Sequence, residues 1–303
     1  MDTMRDKLVM ITGASSGIGH ETARQLAQQG AEILMVSRDP ERGRGAQASV
    51  ATAATGKPPV LLLADLSSQA SIRRLAEQVR SHSSRIDVLI NNAGAVFSRR
   101  ELTVDGIERT FALNHLASFL VTQLLFETLR AAPAGRIINM SSEIHSGAID
   151  FDNLQGEKRY NFLQAYYQTK LENILFTYEL ARRIAGTGVT ANALSPGPTR
   201  TRFGDNLQGL PRLFPLFMKN IPLLFAPTQV GARTPVYLAS SPDVEGVSGK
   251  FFFRGREART KPFSYDADIA RRLWEVSAEL TSAAAGRMEP AYPSPIREQE
   301  IAR

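Results

Sequence analysis

KLVMITGASSGIG, residues 7–19, is the stretch that decides the fold of this 303-residue chain. Its first part, Lys7 to Thr12, is a short apolar run that predicts a buried β-strand. The glycines that follow allow the backbone to turn sharply, and the pattern from Ile18 to Gln29 predicts a helix. The chain therefore begins with a strand, a glycine-rich turn and a helix.

Free N–H groups at the start of such a helix form a binding site for a pyrophosphate. A glycine-rich turn that binds nothing is the alternative, but the strand before it and the helix after it favour phosphate binding. The spacing TGxxxGxG differs from the GxGxxG fingerprint of other dinucleotide-binding turns. The candidate residues of this turn are Gly13, Ser15, Ser16, Gly17, Ile18 and Gly19.

Strands and helices alternate along the rest of the chain. Further strands are predicted at residues 31–36, 60–63, 87–90, 135–140, 189–194 and 250–253, and further helices at 68–82, 103–130, 165–180, 228–238 and 266–281. This alternation, with no linker, predicts one α/β domain built on a single doubly wound parallel sheet with helices on both faces. We assign residues 1–285 to the domain and expect residues 286–303 to be a disordered tail.

Ser37 and Arg38 stand at the tip of the second predicted strand. An acidic residue at this place binds the adenosine ribose and repels a 2′-phosphate, whereas an arginine pairs with the phosphate and covers the adenine face. The sequence therefore favours NADP(H) over NAD(H). Asp39 would weaken this preference if its side chain turned inward, although it is also suited to cap a helix that begins at Pro40.

Polar or small residues follow the next strands, at the ends where open parallel sheets bind ligands. Those we predict to contact the cofactor are Asp65, Leu66, Asn92, Ala93 and Gly94. For Asn91, a structural role and a cofactor contact both remain open. Asn114 lies among apolar residues of a predicted helix, where it either satisfies a local backbone group or orders a water. Ser142 follows the fifth strand and is either a donor to substrate or a turn residue.

The helix predicted over 165–180, AYYQTKLENILFTYEL, places Tyr166 and Lys170 on one face. A cation held close to a phenol favours the phenolate and lowers its pKa, which suits the pair to acid–base chemistry. The plainer interpretation is a surface lysine beside a half-buried tyrosine. Tyr167 is a rival for the phenol, because residues three apart are also adjacent on a helix.

The segment from about 198 to 227 is rich in proline and strongly apolar. We interpret it as a substrate lid; an oligomer contact and a membrane-touching loop are the alternatives. The net charge of +6 comes from scattered arginines and does not specifically indicate nucleic acid. Cysteine is absent, and the four histidines show no metal-ligand spacing, so no metal site is predicted. No apolar run is long enough to span a bilayer, and we expect a cytoplasmic protein that forms a homodimer and touches membranes at most peripherally.

Together these motifs resemble the short-chain dehydrogenase/reductase family, retinol dehydrogenase-like branch. The resemblance covers nearly the whole chain and rests on TGASSGIG at 12–19, Asp65, NNAG at 91–94, Asn114, Ser142, YYQTK at 166–170 and SPGPTRT at 195–201. It implies a Rossmann-type sheet, bound NADP(H), and a catalytic set of Asn114, Ser142, Tyr166 and Lys170. It also places Pro196, Gly197 and Thr199 beside the cofactor. Pro198 and Thr199 depart from the family's usual residues after Pro-Gly.

The resemblance implies the interconversion of a carbonyl and an alcohol. In the reductive direction NADPH gives a hydride to a carbonyl whose oxygen is held by Ser142 and protonated by Tyr166. Lys170 would lower the phenol pKa and bind the nicotinamide ribose, and Asn114 would hold a water for proton resupply. The apolar lid favours a lipophilic substrate of retinoid, steroid or secondary-metabolite type. A catalytically silent NADP(H) sensor and an interaction protein on the same fold are the alternatives.

Overall fold

The computed structural model describes residues 3–199 and 226–282. They form an eight-stranded sheet in the order β3-β2-β1-β4-β5-β6-β7-β8. The strands are β1 Leu8–Thr12, β2 Glu32–Ser37, β3 Val60–Leu63, β4 Val88–Asn91, β5 Arg136–Met140, β6 Thr190–Ser195, β7 Phe251–Phe253 and β8 Arg256–Glu257. The helices are α1 Gly17–Gln28, α2 Pro40–Ala51, α3 Gln69–His82, α4 Arg109–Phe111, α5 Ala117–Arg130, α6 Phe162–Arg183, α7 Thr228–Ser240 and α8 Ala267–Ser282.

The helices cover both faces of the sheet, as predicted. On one face Leu26 of α1 and Leu238 of α7 pack with Val9 of β1. On the other, Phe126 of α5 and Phe176 of α6 pack with neighbouring strand residues and with α3 and α8. Strands buried on both faces explain the near-continuous apolar runs in the sequence.

The strand order reverses beside β1, because β2 pairs with one of its edges and β4 with the other. In open parallel sheets ligands bind beyond the carboxyl ends of strands at such a reversal. The glycine-rich turn after β1 and the small residues after β4 therefore meet at the place where a ligand is expected.

The sheet has one antiparallel edge that the sequence did not predict. β8 pairs antiparallel with β7 through a two-residue turn in which Arg254 and Gly255 both have positive φ, 51° and 74°. Positive φ at both positions gives the turn type that matches the twist of a hairpin. The first seven strands are parallel, so the predicted sheet is correct apart from this short edge strand.

The helix predicted over 103–130 is wrong in its first turn. Residues Leu102 and Glu108 form an antiparallel bridge, and the chain turns between them at Gly106, whose φ is +74°. The helix begins at Arg109 because the Glu108 carboxylate accepts hydrogen bonds from the next free backbone N–H groups. A π-helical turn, Ala112–Leu116, then interrupts the helix and carries Asn114.

Candidate active site

The glycine-rich turn is fixed by the loop after β4. Thr12 Oγ1 accepts hydrogen bonds from the backbone N–H groups of Asn92 and Ala93, at 2.9 and 3.0 Å. Asn92 Nδ2 returns a hydrogen bond to the Thr12 carbonyl, at 2.8 Å. A Cβ at Gly19 would lie only 2.3 Å from Asn92 Nδ2, so this glycine is needed for the close contact between turn and loop.

The turn and the start of α1 suit a phosphate group. Gly13 and Gly17 have positive φ, 68° and 59°. Ser16 precedes the helix in an extended conformation, and its side chain makes no capping hydrogen bond. The first N–H groups of α1 therefore lack the usual side-chain acceptor, and an anion is the natural substitute. Ser15 is half-buried and Ile18 is buried at the same helix start.

Asp39 is turned toward α2 and away from the role of a ribose ligand. Its Oδ1 accepts hydrogen bonds from the N–H groups of Glu41 and Arg42, and its Oδ2 accepts one from Arg42 Nε at 3.0 Å. These backbone bonds and Arg42 lower the pKa of Asp39. Ser37 is buried and donates to the Asp39 carbonyl, whereas Arg38 is exposed. The predicted capping role of Asp39 is confirmed.

Three residues at neighbouring strand ends, Asp65, Leu66 and Asn91, make their described contacts within the protein. The Asp65 carboxylate accepts hydrogen bonds from the N–H and hydroxyl of Ser67, and Leu66 is buried in the core. A cofactor contact from Leu66 would therefore use its backbone. Asn91 Nδ2 donates to side chains on α5 and β5, which favours the structural role for this residue.

Asn114 joins the loop after β4 to α6. Its Oδ1 accepts from the N–H of Ala95, and its Nδ2 donates to the Ala95 carbonyl at 2.9 Å and to Thr169 Oγ1 at 3.1 Å. A Cβ at Gly94 would lie 3.3 Å from Asn114 Oδ1 and 3.7 Å from Lys170 Nζ. Asn114 therefore satisfies a local backbone group, the first of the two roles considered from the sequence, and the ordering of a water stays a prediction.

Tyr166 and Lys170 are adjacent on α6, as predicted. Lys170 Nζ lies 5.2 Å from the centroid of the Tyr166 ring. Lys170 is 6% exposed, and its ammonium makes no hydrogen bond to the residues described. A buried ammonium of this kind suits a polar ligand.

Burial sets the pKa of both groups. It lowers the pKa of Lys170 to about 8. It raises the pKa of Tyr166, and Tyr167 and Glu143 raise it further. The pKa of Tyr166 in the protein alone is therefore raised and not lowered as expected, because burying a phenolate is costly.

Residues before and after Ser142 are hydrogen-bonded to α6. Ser141 Oγ donates to the Lys170 carbonyl at 2.6 Å, and the N–H of Ser146 donates to the Tyr167 carbonyl at 3.0 Å. Ser142 Oγ accepts a hydrogen bond from the N–H of Ile144. The hydroxyl proton of Ser142 is not used by that bond, so it remains available to a substrate oxygen.

The loop after β6 passes the start of α1. Gly197 has a φ of +74°, and Thr199 Oγ1 donates to its carbonyl at 3.1 Å. A Cβ at Gly231 of α7 would lie 2.7 Å from Thr199 Oγ1 and 3.2 Å from a side-chain carbon of Ile18. Pro196 is half-buried in the same loop. The predicted lid at 198–227 lies almost wholly outside the described residues, and so does the predicted tail at 286–303.

A family model for short chain dehydrogenase matches residues 7–209 of the chain. The chain belongs to this family. Human retinol dehydrogenase 14 is 40% identical over 289 residues, which is 90% of this chain and 86% of that protein. Human retinol dehydrogenase 13 is 39% identical over 309 residues, 99% of this chain and 90% of that protein. This short-chain dehydrogenase is therefore retinol dehydrogenase-like, as the sequence motifs predict.

Solved structures show the same fold. An uncharacterized protein from Mycobacterium paratuberculosis is 32% identical and covers 92% of this chain and 94% of its own, with a TM-score of 0.74. A complex of Pseudomonas aeruginosa RhlG with NADP is 24% identical and covers 87% of this chain and 98% of its own, with a TM-score of 0.66.

The segment that carries Ser142 is hydrogen-bonded to α6, the helix on which Lys170 lies beside Tyr166. This arrangement fits an oxidoreductase that interconverts a carbonyl and an alcohol, the chemistry of the family. Within residues 3–199 and 226–282, His, Asp and Glu form no group able to hold a metal ion. The helices of that part of the chain include none with the length and hydropathy to span a bilayer.

Sequence reasoning missed residues that support the site. Thr169 and Asn173 bond to Asn114, and Glu143 accepts a hydrogen bond from Ser195. The sequence indicated these residues only by their position next to, or one helical turn from, predicted site residues. Contacts between distant segments decided their roles, and a single sequence does not contain them.

Proposed function

We propose that this short-chain dehydrogenase uses NADP(H) to interconvert a carbonyl and an alcohol on a lipophilic small molecule of retinoid, steroid or secondary-metabolite type. The observation that carries the proposal is the buried ammonium of Lys170 beside Tyr166 and Gly94, at the end of the sheet where a cofactor is expected. A bound nicotinamide cofactor supplies or accepts the hydride.

The protein's own groups handle the proton. In reduction the Tyr166 hydroxyl donates its proton to the substrate oxygen, and its raised pKa keeps that proton in place at neutral pH. Ser142 Oγ donates a hydrogen bond to the same oxygen and orients it. Lys170 binds the cofactor ribose, and a positive charge there stabilises the phenolate that proton transfer leaves. The proton-resupply water at Asn114 stays a prediction.

The preference for NADP(H) follows from Arg38 and Asp39. Arg38 is exposed at the tip of β2 and has no acidic neighbour that competes for it among the described contacts. Asp39, the carboxylate that would repel a 2′-phosphate, is occupied by α2 and Arg42. An arginine paired with a phosphate forms charge-assisted hydrogen bonds. NADP(H) is therefore the cofactor that these residues favour.

The lipophilic substrate class is supported by apolar side chains near the proposed catalytic groups. Ile144, two residues after Ser142, is 59% exposed, and Leu163, three residues before Tyr166, is 44% exposed. Exposed apolar side chains beside a polar site suit a ligand with a hydrocarbon body and one oxygen. The similarity of the chain to proteins named retinol dehydrogenase also supports a lipophilic substrate. A cytoplasmic location and a homodimer stay predictions.

The test is consumption of NADPH and of NADH with aldehydes and ketones of graded lipophilicity. We expect turnover with NADPH that improves with the length of the hydrocarbon chain. Tight NADPH binding with no oxidation across the whole panel would favour a silent sensor. Faster turnover with NADH would contradict the cofactor assignment and leave the oxidoreductase assignment intact.

A further inference from the structure

A buried histidine links the C-terminal helix α8 to the interior of the site. His115, in the π-helical turn, is fully buried. Its Nδ1 lies 3.3 Å from Asn173 Oδ1 on α6, and its Nε2 lies 2.9 Å from Ser277 Oγ on α8. The mechanism above uses none of these three side chains.

Asn173 connects this histidine to two elements that carry proposed catalytic residues. Its Nδ2 donates to the Asn114 carbonyl at 2.9 Å and to the Met140 carbonyl at 3.1 Å. Met140 ends β5, two residues before Ser142. Asn173 itself follows Lys170 by one turn of α6. A single amide therefore joins the three segments that hold the proposed catalytic groups.

The hydrogen bonds of Asn173 determine which nitrogen of the His115 ring carries the proton. Because Asn173 Nδ2 donates to two carbonyls, its Oδ1 must accept, and His115 Nδ1 must carry the proton. His115 is neutral, since burial lowers its pKa to about 4. Its Nε2 is then an acceptor, 2.9 Å from Ser277 Oγ. The Ser277 hydroxyl also donates to the Leu273 carbonyl at 2.7 Å, so the two acceptors share its single proton.

The C-terminal helix is held firmly enough to act as a support. Trp274 of α8 packs edge-on against Phe119, with ring centroids 5.0 Å apart, and lies 5.9 Å from the ring of Phe176. Gln69 of α3 donates to the Leu280 carbonyl at 2.8 Å. Helix α8 lies outside residues 7–209, the part that the family model matches.

We propose that α8 positions the active site through Ser277, His115 and Asn173. In this proposal, which rests on the proposed function, the three are positioning residues that fix Asn114 and the β5 end relative to Lys170. Loss of the link would let the π-helical turn shift. Small displacements of groups around a reacting carbonyl reduce turnover strongly. Among the described contacts, Thr12 and Asn92, which fix the glycine-rich turn, make no hydrogen bond to Ser277, His115 or Asn173, so we expect cofactor binding there to be retained.

The test compares Ser277→Ala with Thr281→Val in the full-length protein. Thr281 is a matched control, because it is buried on α8 one turn later and its hydroxyl bonds only to carbonyls of its own helix. We expect Ser277→Ala to lower kcat about 10-fold, with the Kd for NADPH within about twofold of the wild type. Thr281→Val should leave kcat within about twofold of the wild type.

Two substitutions of His115 distinguish its hydrogen bond to Asn173 from its hydrogen bond to Ser277. His115→Asn keeps a donor near Asn173 and loses the bond to Ser277, whereas His115→Leu loses both bonds. We expect kcat to fall in the order wild type, His115→Asn, His115→Leu, at a temperature well below the unfolding midpoint of every variant.

A second readout does not depend on turnover. The N–H of Ala95 donates to Asn114 Oδ1, so its hydrogen exchange, followed by NMR, reports whether Asn114 is held. We expect about 10-fold faster exchange at Ala95 in Ser277→Ala and no such change in Thr281→Val. Equal effects of the two substitutions on exchange and on kcat would overturn the proposal. A wild-type protein that turns over no carbonyl would refute the proposed function, while the exchange comparison would still decide the positioning role.

Discussion

The ammonium of Lys170 lies over the face of the Tyr166 ring, 5.2 Å from its centroid. In this position the cation interacts with the ring's π-electrons. The phenol keeps its proton at neutral pH because burial raises its pKa. In the proposed reaction a protonated Tyr166 is the form that donates to a carbonyl.

The pKa of Lys170, lowered by burial to about 8, predicts how cofactor binding depends on pH. Lys170 loses its charge as the pH rises through about 8, and with it the strength of its bond to the cofactor ribose. We expect the affinity for NADPH, measured by fluorescence titration, to fall over that range in the wild type. Lys170→Met should bind NADPH more weakly and show no inflection there. If the affinity of Lys170→Met for NADPH still changed near pH 8, the pH dependence would belong to another group.

Arg38 is predicted to set the cofactor preference. Arg38→Ala should lower the ratio of kcat/KM for NADPH to that for NADH by about 10-fold or more, because a charged hydrogen bond contributes about 1.5–3 kcal/mol. Arg44→Ala is the control, since Arg44 is an exposed arginine on α2. Unchanged selectivity in Arg38→Ala would reject the role.

Glu172 is predicted to destabilise the protein at neutral pH. It is fully buried, its Oε2 has no hydrogen-bond partner among the described residues, and burial raises its pKa well above the usual value. The unfolded chain ionises this group freely, so stability falls as the pH rises above about 4.5. Glu172→Gln should raise the free energy of unfolding at pH 7 by about 1 kcal/mol, measured by urea denaturation.

Glu179→Gln is the matched control on the same helix. Glu179 is also buried, but it pairs with Arg182 at 2.7 Å and Arg183 at 2.6 Å. We expect this substitution to lower the free energy of unfolding. If Glu172→Gln and Glu179→Gln changed the free energy of unfolding in the same direction, the predicted difference between an unpaired and a paired carboxyl would be wrong.

His115 is predicted to destabilise the protein at acidic pH. Its folded pKa of about 4 lies below the usual 6.5, so the unfolded chain takes up a proton first as the pH falls. The free energy of unfolding should drop by about 3 kcal/mol as the pH falls from about 6.5 to about 4, since one pKa unit corresponds to about 1.4 kcal/mol. His115→Gln should lose this part of the pH dependence. An unchanged pH profile in that variant would place the effect on another group.

The sheet and the placement of Tyr166 beside Lys170 were predictable because they depend on local patterns. Apolar runs mark the strands, and the turn at Gly13 and Gly17 needs the positive φ that glycine adopts freely. Tyr166 and Lys170 needed only helical spacing. These features are encoded within short windows of sequence.

The features that the sequence did not predict depend on contacts between distant segments. Residues 103–108 have apolar residues at helical spacing, but the turn at Gly106 and the cap at Glu108 end the pattern. His115 and Ser277 are 162 residues apart in sequence, so no local window joins them. The pKa of Tyr166 depends on how deeply the folded chain buries it, which no short window of sequence shows.

Tyr166 is proposed here as the proton donor of a carbonyl reductase site. The most direct measurement compares Tyr166→Phe with Tyr167→Phe in steady-state NADPH oxidation, with NADPH binding measured separately by fluorescence titration. We predict that Tyr166→Phe binds NADPH as the wild type does and loses turnover by about 100-fold or more. Tyr167→Phe should keep most of its activity. Near-normal turnover in Tyr166→Phe, or its loss only in Tyr167→Phe, would contradict the account.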